Sequence, residues 1–282
     1  MTAEQKPRTA GRAYAPQVES DSASGLLQGR RLVVTGVLTE ASLASAVVRL
    51  AVEQGAEVLL TSPLCRGLSI TSRMAPRLGV EADVVELDVT LPDDLASLPQ
   101  AVRDAGWDRV DGVVHAIAYL PEVDRSGGFA SLPWPAVAET FQTAAWSLAA
   151  LTGALRPLLP AGSSVVALSS DTTRAWPGQD WLGVSRACLE SAVRYLARDL
   201  GPHGIRVNVV SCGPQRTLLA KAVPGHAELT AGWDERAPLG WDAGDRTAVA
   251  RAVVALLSDW LPATTGSVIH VDGGAHAVGT AQ

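Results

Sequence analysis

Short apolar runs rich in β-branched residues alternate along the chain with longer stretches whose apolar positions recur at helical spacing. The runs lie at 31–35, 57–61, 83–87, 112–117, 164–168, 206–210 and 267–271, and helical spacing holds over 43–54, 95–104, 137–155, 182–200 and 247–259. Runs that are apolar on both faces, most followed by a helix, predict a parallel sheet covered on both sides, an α/β doubly wound fold of seven strands. Ligands of such sheets bind outside the carboxyl ends of the strands, so the residues just past each run are where chemistry is sought. No internal repeat interrupts the pattern.

Composition narrows the picture. Hydrophobic residues make up 47% of 282 and charged residues 18%, enough apolar surface for one domain spanning 29–282. Residues 1–28, rich in Ala, Ser, Gly, Pro and charge and without periodicity, read as a disordered tail. A net charge of -6 with no long run of Lys or Arg points away from nucleic acid and from anionic membrane surfaces. No stretch approaches the roughly 18 apolar residues of a membrane span, and the opening residues lack the apolar segment of a secretory signal, so a cytoplasmic location is expected. Cys65, Cys188 and Cys212 are scattered and odd in number, which predicts core thiols rather than disulfides or a zinc site. Lysine occurs only at Lys6 and Lys221, and arginine carries the remaining positive charge.

The first strand ends at Thr35-Gly36, and Ser42-Leu43-Ala44 opens a helix. A glycine permits a tight turn, and a helix N-terminus offers free N–H groups to a pyrophosphate. The three closely spaced glycines of the dinucleotide fingerprint are missing, and an ordinary turn capped by Ser42 is an equal reading. Asp88, after the third strand, suits the exocyclic amine of an adenine or a simple turn cap. Thr61-Ser62-Pro63 follows the second strand without an acid for a ribose hydroxyl, while Arg66 is near, which leaves NADH and NADPH unseparated.

Several segments taken together resemble the NADH-dependent enoyl-acyl-carrier-protein reductases of the short-chain dehydrogenase/reductase superfamily, above all the long-chain actinobacterial branch targeted by isoniazid. They are Thr-Gly-Val-x-Thr-x-x-Ser-Leu-Ala from Thr35, Leu-Asp-Val from Leu87, Asp-Gly-Val-Val-His from Asp111, Cys-Gly-Pro-Gln-Arg-Thr from Cys212, Gly-Trp-Asp-Glu-Arg-Ala-Pro-Leu-Gly-Trp from Gly232, and Leu-Leu-Ser-Asp-Trp-Leu-Pro-Ala-Thr-Thr-Gly from Leu256. The resemblance implies a Rossmann-type domain that binds NAD, with Gly36, Ser42 and Leu43 at the pyrophosphate, Asp88 and Val89 at the adenine, and Gly213, Pro214, Gln215 and Thr217 at the nicotinamide. It further implies an acyl-thioester substrate, carried or not by a carrier protein, a homotetramer, and a substrate-covering segment near 217–232.

The departures cluster at the reacting end. The family's Ser-Ile-Gly-Phe stands here as Ala116-Ile117-Ala118-Tyr119, which adds a methyl group at Ala118 where the nicotinamide ribose would pass. The family's Tyr and its Lys seven residues later stand here as Gln179 and Arg186, and Ser169-Ser170-Asp171 replaces an aromatic after the fifth strand. A Gln amide donates a hydrogen bond but cannot transfer a proton at neutral pH, whereas Arg186 keeps the charge in a planar fork. Gln179, Arg186, Tyr119 and Ser170 are therefore the candidate catalytic positions, with Tyr119 the one candidate acid or else an aromatic wall.

The remaining residues have plainer expectations. Tyr195 is expected in the core, His115 as a core histidine, Lys221 as a surface charge, and His203, His226, His270 and His276 as forming no ligand cluster. Asp171 and Asp180 either supply a carboxylate or close a turn and cap a helix. Three functions fit these residues: a divergent reductase of an unsaturated apolar acyl or polyketide-like substrate, a non-redox isomerase, dehydratase or cyclase, or a binding protein without chemistry.

Overall fold

The computed structural model describes residues 25–63, 66–121, 123–124 and 128–279. Seven strands form one parallel sheet: β1 (Arg31–Val34), β2 (Glu57–Ser62), β3 (Val85–Glu86), β4 (Gly112–His115), β5 (Ser164–Ser170), β6 (Arg206–Cys212) and β7 (Val268–Val271). Their order is β3-β2-β1-β4-β5-β6-β7, so the direction of winding reverses between β1 and β4. That reversal opens a crevice at the carboxyl ends of the two strands. The helices are α1 (Leu43–Glu53), α2 (Arg66–Met74), α3 (Pro92–Asp104), α4 (Trp134–Phe141), α5 (Ser147–Leu155), α6 (Asp180–Leu200), α7 (His226–Arg236) and α8 (Thr247–Leu257).

Alternation along the strands sorts the core into two layers. Leu32, Val34, Leu60, Val114, Val166 and Val210 face Val47, Val48 and Ala51 of α1 and Val253 and Leu257 of α8. Val33, Leu59, Val113, Val165, Val207 and Val209 face Leu98 of α3, Leu148 and Leu151 of α5, and Leu189 and Val193 of α6. A buried side chain of this size stabilises by about 1.5–3 kcal/mol, so each layer alone outweighs any single polar contact below.

Several expectations need adjustment. The folded body begins by Gly25 rather than Gly29: Leu27 is fully buried, and its N–H donates to the Gln54 carbonyl at 3.0 Å. Residues 1–24 of the expected tail, and Cys65, lie outside the described residues. The third strand shrinks to two residues, while α2 and α7 were not expected at all. The helix expected over 137–155 begins at Trp134 and is broken by a π turn at Gln142–Trp146 that joins α4 to α5. Tyr195 stands 60% exposed with Arg198 over its ring, because its position on α6 faces solvent rather than the sheet. Of the described cysteines, Cys212 is buried as expected but Cys188 is exposed. No helix among the described residues is long and apolar enough to cross a membrane.

Candidate functional site

A cavity of about 460 Å³ lies over the β1/β4 reversal. The Thr35 hydroxyl donates to the Val114 carbonyl at 3.1 Å and accepts the Ala116 N–H at 3.1 Å, which pins the two strand ends together beneath it. Gly36 follows with φ +84°, and a Cβ there would lie 2.1 Å from the Ala116 carbonyl oxygen. Only glycine allows both that backbone conformation and that approach.

Ser42 occupies the N-cap position of α1 but caps no helical N–H. Its hydroxyl oxygen instead accepts the N–H groups of Thr39 at 3.0 Å and Leu38 at 3.3 Å, folding the loop back on itself. The Ser45 N–H bonds the Ser42 carbonyl at 3.1 Å, but the N–H groups of Leu43 and Ala44 have no partner among the described residues, and Ser42, Leu43 and Ala44 line the cavity. Free helical N–H groups with the positive end of the helix dipole suit a phosphate.

Asp88 and Val89 form another part of the lining. Asp88 also closes its own turn, accepting the Thr90 N–H at 2.9 Å and the Thr90 hydroxyl at 2.6 Å, as the turn-cap reading of that residue expects. Ala116, Ile117, Ala118 and Tyr119 supply the wall past β4, and Thr217 with Leu218 and Leu219 covers the opposite side. Arg66 opens α2, and its side chain lies outside the described residues.

Arg186 closes the far end of the cavity. Its Nη1 donates to the Leu168 carbonyl at 2.6 Å and the Ile117 carbonyl at 3.4 Å, two strand-end oxygens of β5 and of the loop after β4. Burial lowers the basicity of this guanidinium, while Cys212 and Glu190 work in the opposite direction. An arginine so placed stays protonated. Glu190, one helical turn further along α6, is buried and accepts from the hydroxyls of Ser169 at 3.0 Å and Thr172 at 2.7 Å. The acid was not singled out from the sequence. Its four-residue spacing from Arg186 on one helix was the available signal.

Of the other expected catalytic positions, Tyr119 lines this cavity, while Gln179 and Ser170 do not. Gln179 caps α6 two helical turns before Arg186, on nearly the same face, since seven residues turn the helix by about 700°. Its Oε1 is buried without a hydrogen-bond partner. Gly178 beside it has φ +73°, and a Cβ there would meet the Pro224 carbonyl at 2.2 Å, so this stretch presses against the 217–232 segment. Asp180 follows at φ +43°, the one described non-glycine residue with positive φ. Backbone strain of this kind collects at functional sites.

Ser170 ends β5, half-buried, and lines neither described cavity. Burial works to raise the Asp171 carboxyl, but hydrogen bonds from the Thr173 N–H and hydroxyl and from Trp176 Nε1, together with nearby His270, hold it below the usual carboxylate range. That carboxylate closes a strand-end turn. Gly213 and Pro214 lie against Trp241, whose Nε1 donates to the Pro214 carbonyl at 2.7 Å, and Gln215 follows, buried. A Cβ at Gly213 would lie 2.6 Å from the Trp241 ring.

The histidines divide. His115 is fully buried, with Nε2 2.7 Å from the Ser147 hydroxyl. That hydroxyl donates to the Thr143 carbonyl at 2.6 Å, so His115 Nε2 carries the proton and its buried Nδ1 is left unpartnered. Burial, with Arg186 adding to it, pushes His115 down to about 3. The expectation that His270 and His276 join no ligand cluster is corrected. The turn after β7 folds back so that their rings stack at 3.8 Å, and the ligand atoms of His270, Asp272 and His276 lie within 4.8 Å of one another. Asp272 spends its carboxylate on the N–H groups of Gly274 and His276 and on His276 Nδ1.

With this geometry in place, comparison with known proteins is decisive. A family model described as enoyl-(acyl carrier protein) reductase matches residues 36–276. The chain belongs to the enoyl-acyl-carrier-protein reductase family. It is 41% identical over 265 residues to the enoyl-[acyl-carrier-protein] reductase [NADH] of Mycolicibacterium smegmatis, covering 89% of this chain and 98% of that protein. The reductase of the same description from Mycobacterium avium is 40% identical over 264 residues, covering 89% and 98%. The enoyl-[acyl-carrier-protein] reductase [NADH] FabI of Aquifex aeolicus is 34% identical over 262 residues, covering 90% and 94%. The seven-stranded parallel sheet is the short-chain dehydrogenase/reductase fold of this family.

Proposed function

We propose that the protein is a divergent NADH-dependent reductase of enoyl thioesters, acting on an unsaturated acyl or polyketide-like chain. The observation that carries this reading is the cavity over the β1/β4 reversal. It has an uncapped helix N-terminus at one end and a guanidinium at the other.

The residues present fit a dinucleotide. The free N–H groups of α1 would hold the pyrophosphate, the Gly36 turn leaves the room that a side chain would fill, and Asp88 and Val89 would border the adenine. Arg186 uses only Nη1 among the described residues, so its remaining N–H groups are available to ribose hydroxyls. Bound there, NADH would supply the hydride. The relatives named above are described as NADH-dependent, which supports that cofactor over NADPH.

The chain's own contribution to the chemistry is positioning and electrostatics. Gln179 donates a hydrogen bond to the thioester oxygen as negative charge grows on it, and the Arg186 charge two helical turns further along α6 favours the same build-up. Neither group yields a proton at neutral pH, so the proton that completes reduction comes from Tyr119 or from water. Asp171, one carboxylate that a non-redox reaction could have used as its base, is tied up by Thr173 and Trp176. A carrier-borne substrate, a homotetramer and a cytoplasmic setting accompany the reductase reading. Trp260, 66% exposed beside the edge strand β7, supplies apolar surface for such an assembly.

The test is direct. Binding of NADH, NAD and NADPH is titrated on the purified protein, and NADH absorbance is followed with enoyl-CoA thioesters of several chain lengths. NADH consumption matched by saturated product is expected. Nucleotide binding without consumption at any chain length would overturn the reductase reading.

A further inference from the structure

Buried polar atoms normally find partners, and each one left alone costs stability unless a ligand or water completes it. In this protein such atoms gather between the 213–217 loop, the Gly178–Gln179 step and the start of α7. Gln215 is only 5% exposed, yet both Oε1 and Nε2 of its amide lack a partner among the described residues. His226 Nε2 and Gln179 Oε1 are buried and unpartnered as well.

The backbone places the three side chains around one turn. The His226 ring hydrogen-bonds to the Gln215 main chain, and the His226 N–H donates to the Val223 carbonyl at 3.3 Å. A Cβ on Gly178 would touch both Val223 and the Pro224 carbonyl, so Gln179 sits against the same turn. Val223, Pro224, Gly225 and His226 also line a second cavity of about 1140 Å³ on the outer side of the covering segment.

Their chemistry selects a partner. Burial lowers the basicity of His226, although its bond to Gln215 acts the other way, so the ring is neutral near pH 7. With Nδ1–H donated to a carbonyl, Nε2 is an acceptor. Gln179 Oε1 is a second acceptor, and the Gln215 amide offers one acceptor and one donor group. A hydroxyl both donates and accepts, and complements this set. Arg236 also has unpartnered nitrogens nearby, but its charge lies between the rings of Trp176 at 4.5 Å and Trp233 at 4.7 Å, which supplies its compensation.

We infer that Gln215 and His226, beside Gln179, form a subsite for a hydroxyl group on the acyl chain, and that the substrate class is a hydroxylated enoyl thioester rather than a plain hydrocarbon chain. This rests on the reductase reading for the word enoyl, while the subsite itself does not. A site built to hydrogen-bond a hydroxyl rejects the analogue without it far more strongly than an apolar pocket rejects an extra hydroxyl.

Binding separates the two claims. Affinities of saturated acyl-CoA thioesters of one length, unsubstituted or bearing a hydroxyl at successive chain positions, are measured by calorimetry on the full chain with NADH present. No turnover is needed, so a subsite is read even if reduction fails. At least one hydroxylated ligand is expected to bind roughly tenfold or more tightly than its unsubstituted counterpart. Gln215→Leu and His226→Leu should each erase that preference, and Gln215→Leu should melt no lower than the parent, which shows that it folds. The inference is overturned if no hydroxylated ligand is preferred, or if the preference survives in both folded variants.

Discussion

Arg186 Nη1 donates at 2.6 Å to the carbonyl of Leu168, a β5 residue that lines the cavity. This bond fixes the guanidinium by one nitrogen and leaves its other edge for a ligand. Arg186→Leu removes a charged donor worth about 1.5–3 kcal/mol, roughly a ten- to hundredfold loss in NADH affinity. Fluorescence titration of NADH checks it, and an unchanged Kd would remove Arg186 from the cofactor site.

Gly36→Ala must place a methyl group 2.1 Å from the Ala116 carbonyl and hold an L-residue at φ +84°. The expected cost is above about 1 kcal/mol, seen as a fall in Tm of at least about 2 °C. Because the shift pushes apart the strand ends that Thr35 joins, NADH binding should weaken in the same variant. Thermal melts with and without NADH report both effects.

Gln179→Tyr places a phenol, able to give up a proton, where the amide now sits two turns before Arg186 on α6. Acid–base assistance is worth about 10²–10⁴-fold in rate, so a rise in kcat for enoyl-CoA reduction of at least tenfold is expected, with a new dependence on pH. Steady-state kinetics across pH decide it. Unchanged kcat would place the limit in the shape of the site rather than in its acid.

His115 gives the protein a specific sensitivity to acid. Its pKa falls from the ordinary 6.5 to about 3 on folding, so the unfolded chain binds the proton first as pH drops. The stability it confers is whole above about pH 6.5 and erodes between there and about pH 3, at about 1.4 kcal/mol per pH unit. His115→Val suits the strand and leaves the Ser147 hydroxyl on Thr143, so its stability should vary less with pH over that window. Urea melts at pH 7 and pH 5 on both proteins measure the difference.

The strands were legible where both faces are buried, as in β5 and β6, whose apolar runs continue without interruption. α7 escaped notice because Trp233 is its only buried residue, so its apolar spacing is faint. Gly36, Ser42 and Asp88 could be placed from sequence because each follows a strand or opens a helix, where the fold dictates direction, whereas Arg186, inside α6, was found only through the family resemblance. The seclusion of Gln215 and His226 could not, since it depends on how a covering segment with little periodicity folds back over them. Tyr195 shows the complementary error: an apolar neighbourhood in the sequence of α6 did not fix which side of the helix it lands on.

The π turn at Gln142–Trp146 has an arithmetical consequence. An extra residue in a helix rotates everything on one side of it by about 100° relative to the other. Thr143 can thereby look into the crevice while Ser147, four residues on, reaches His115 deep in the sheet. Trimming one residue from this stretch would turn the Trp134–Phe141 arm like a key, swinging Val137 and Thr140 out of the interior.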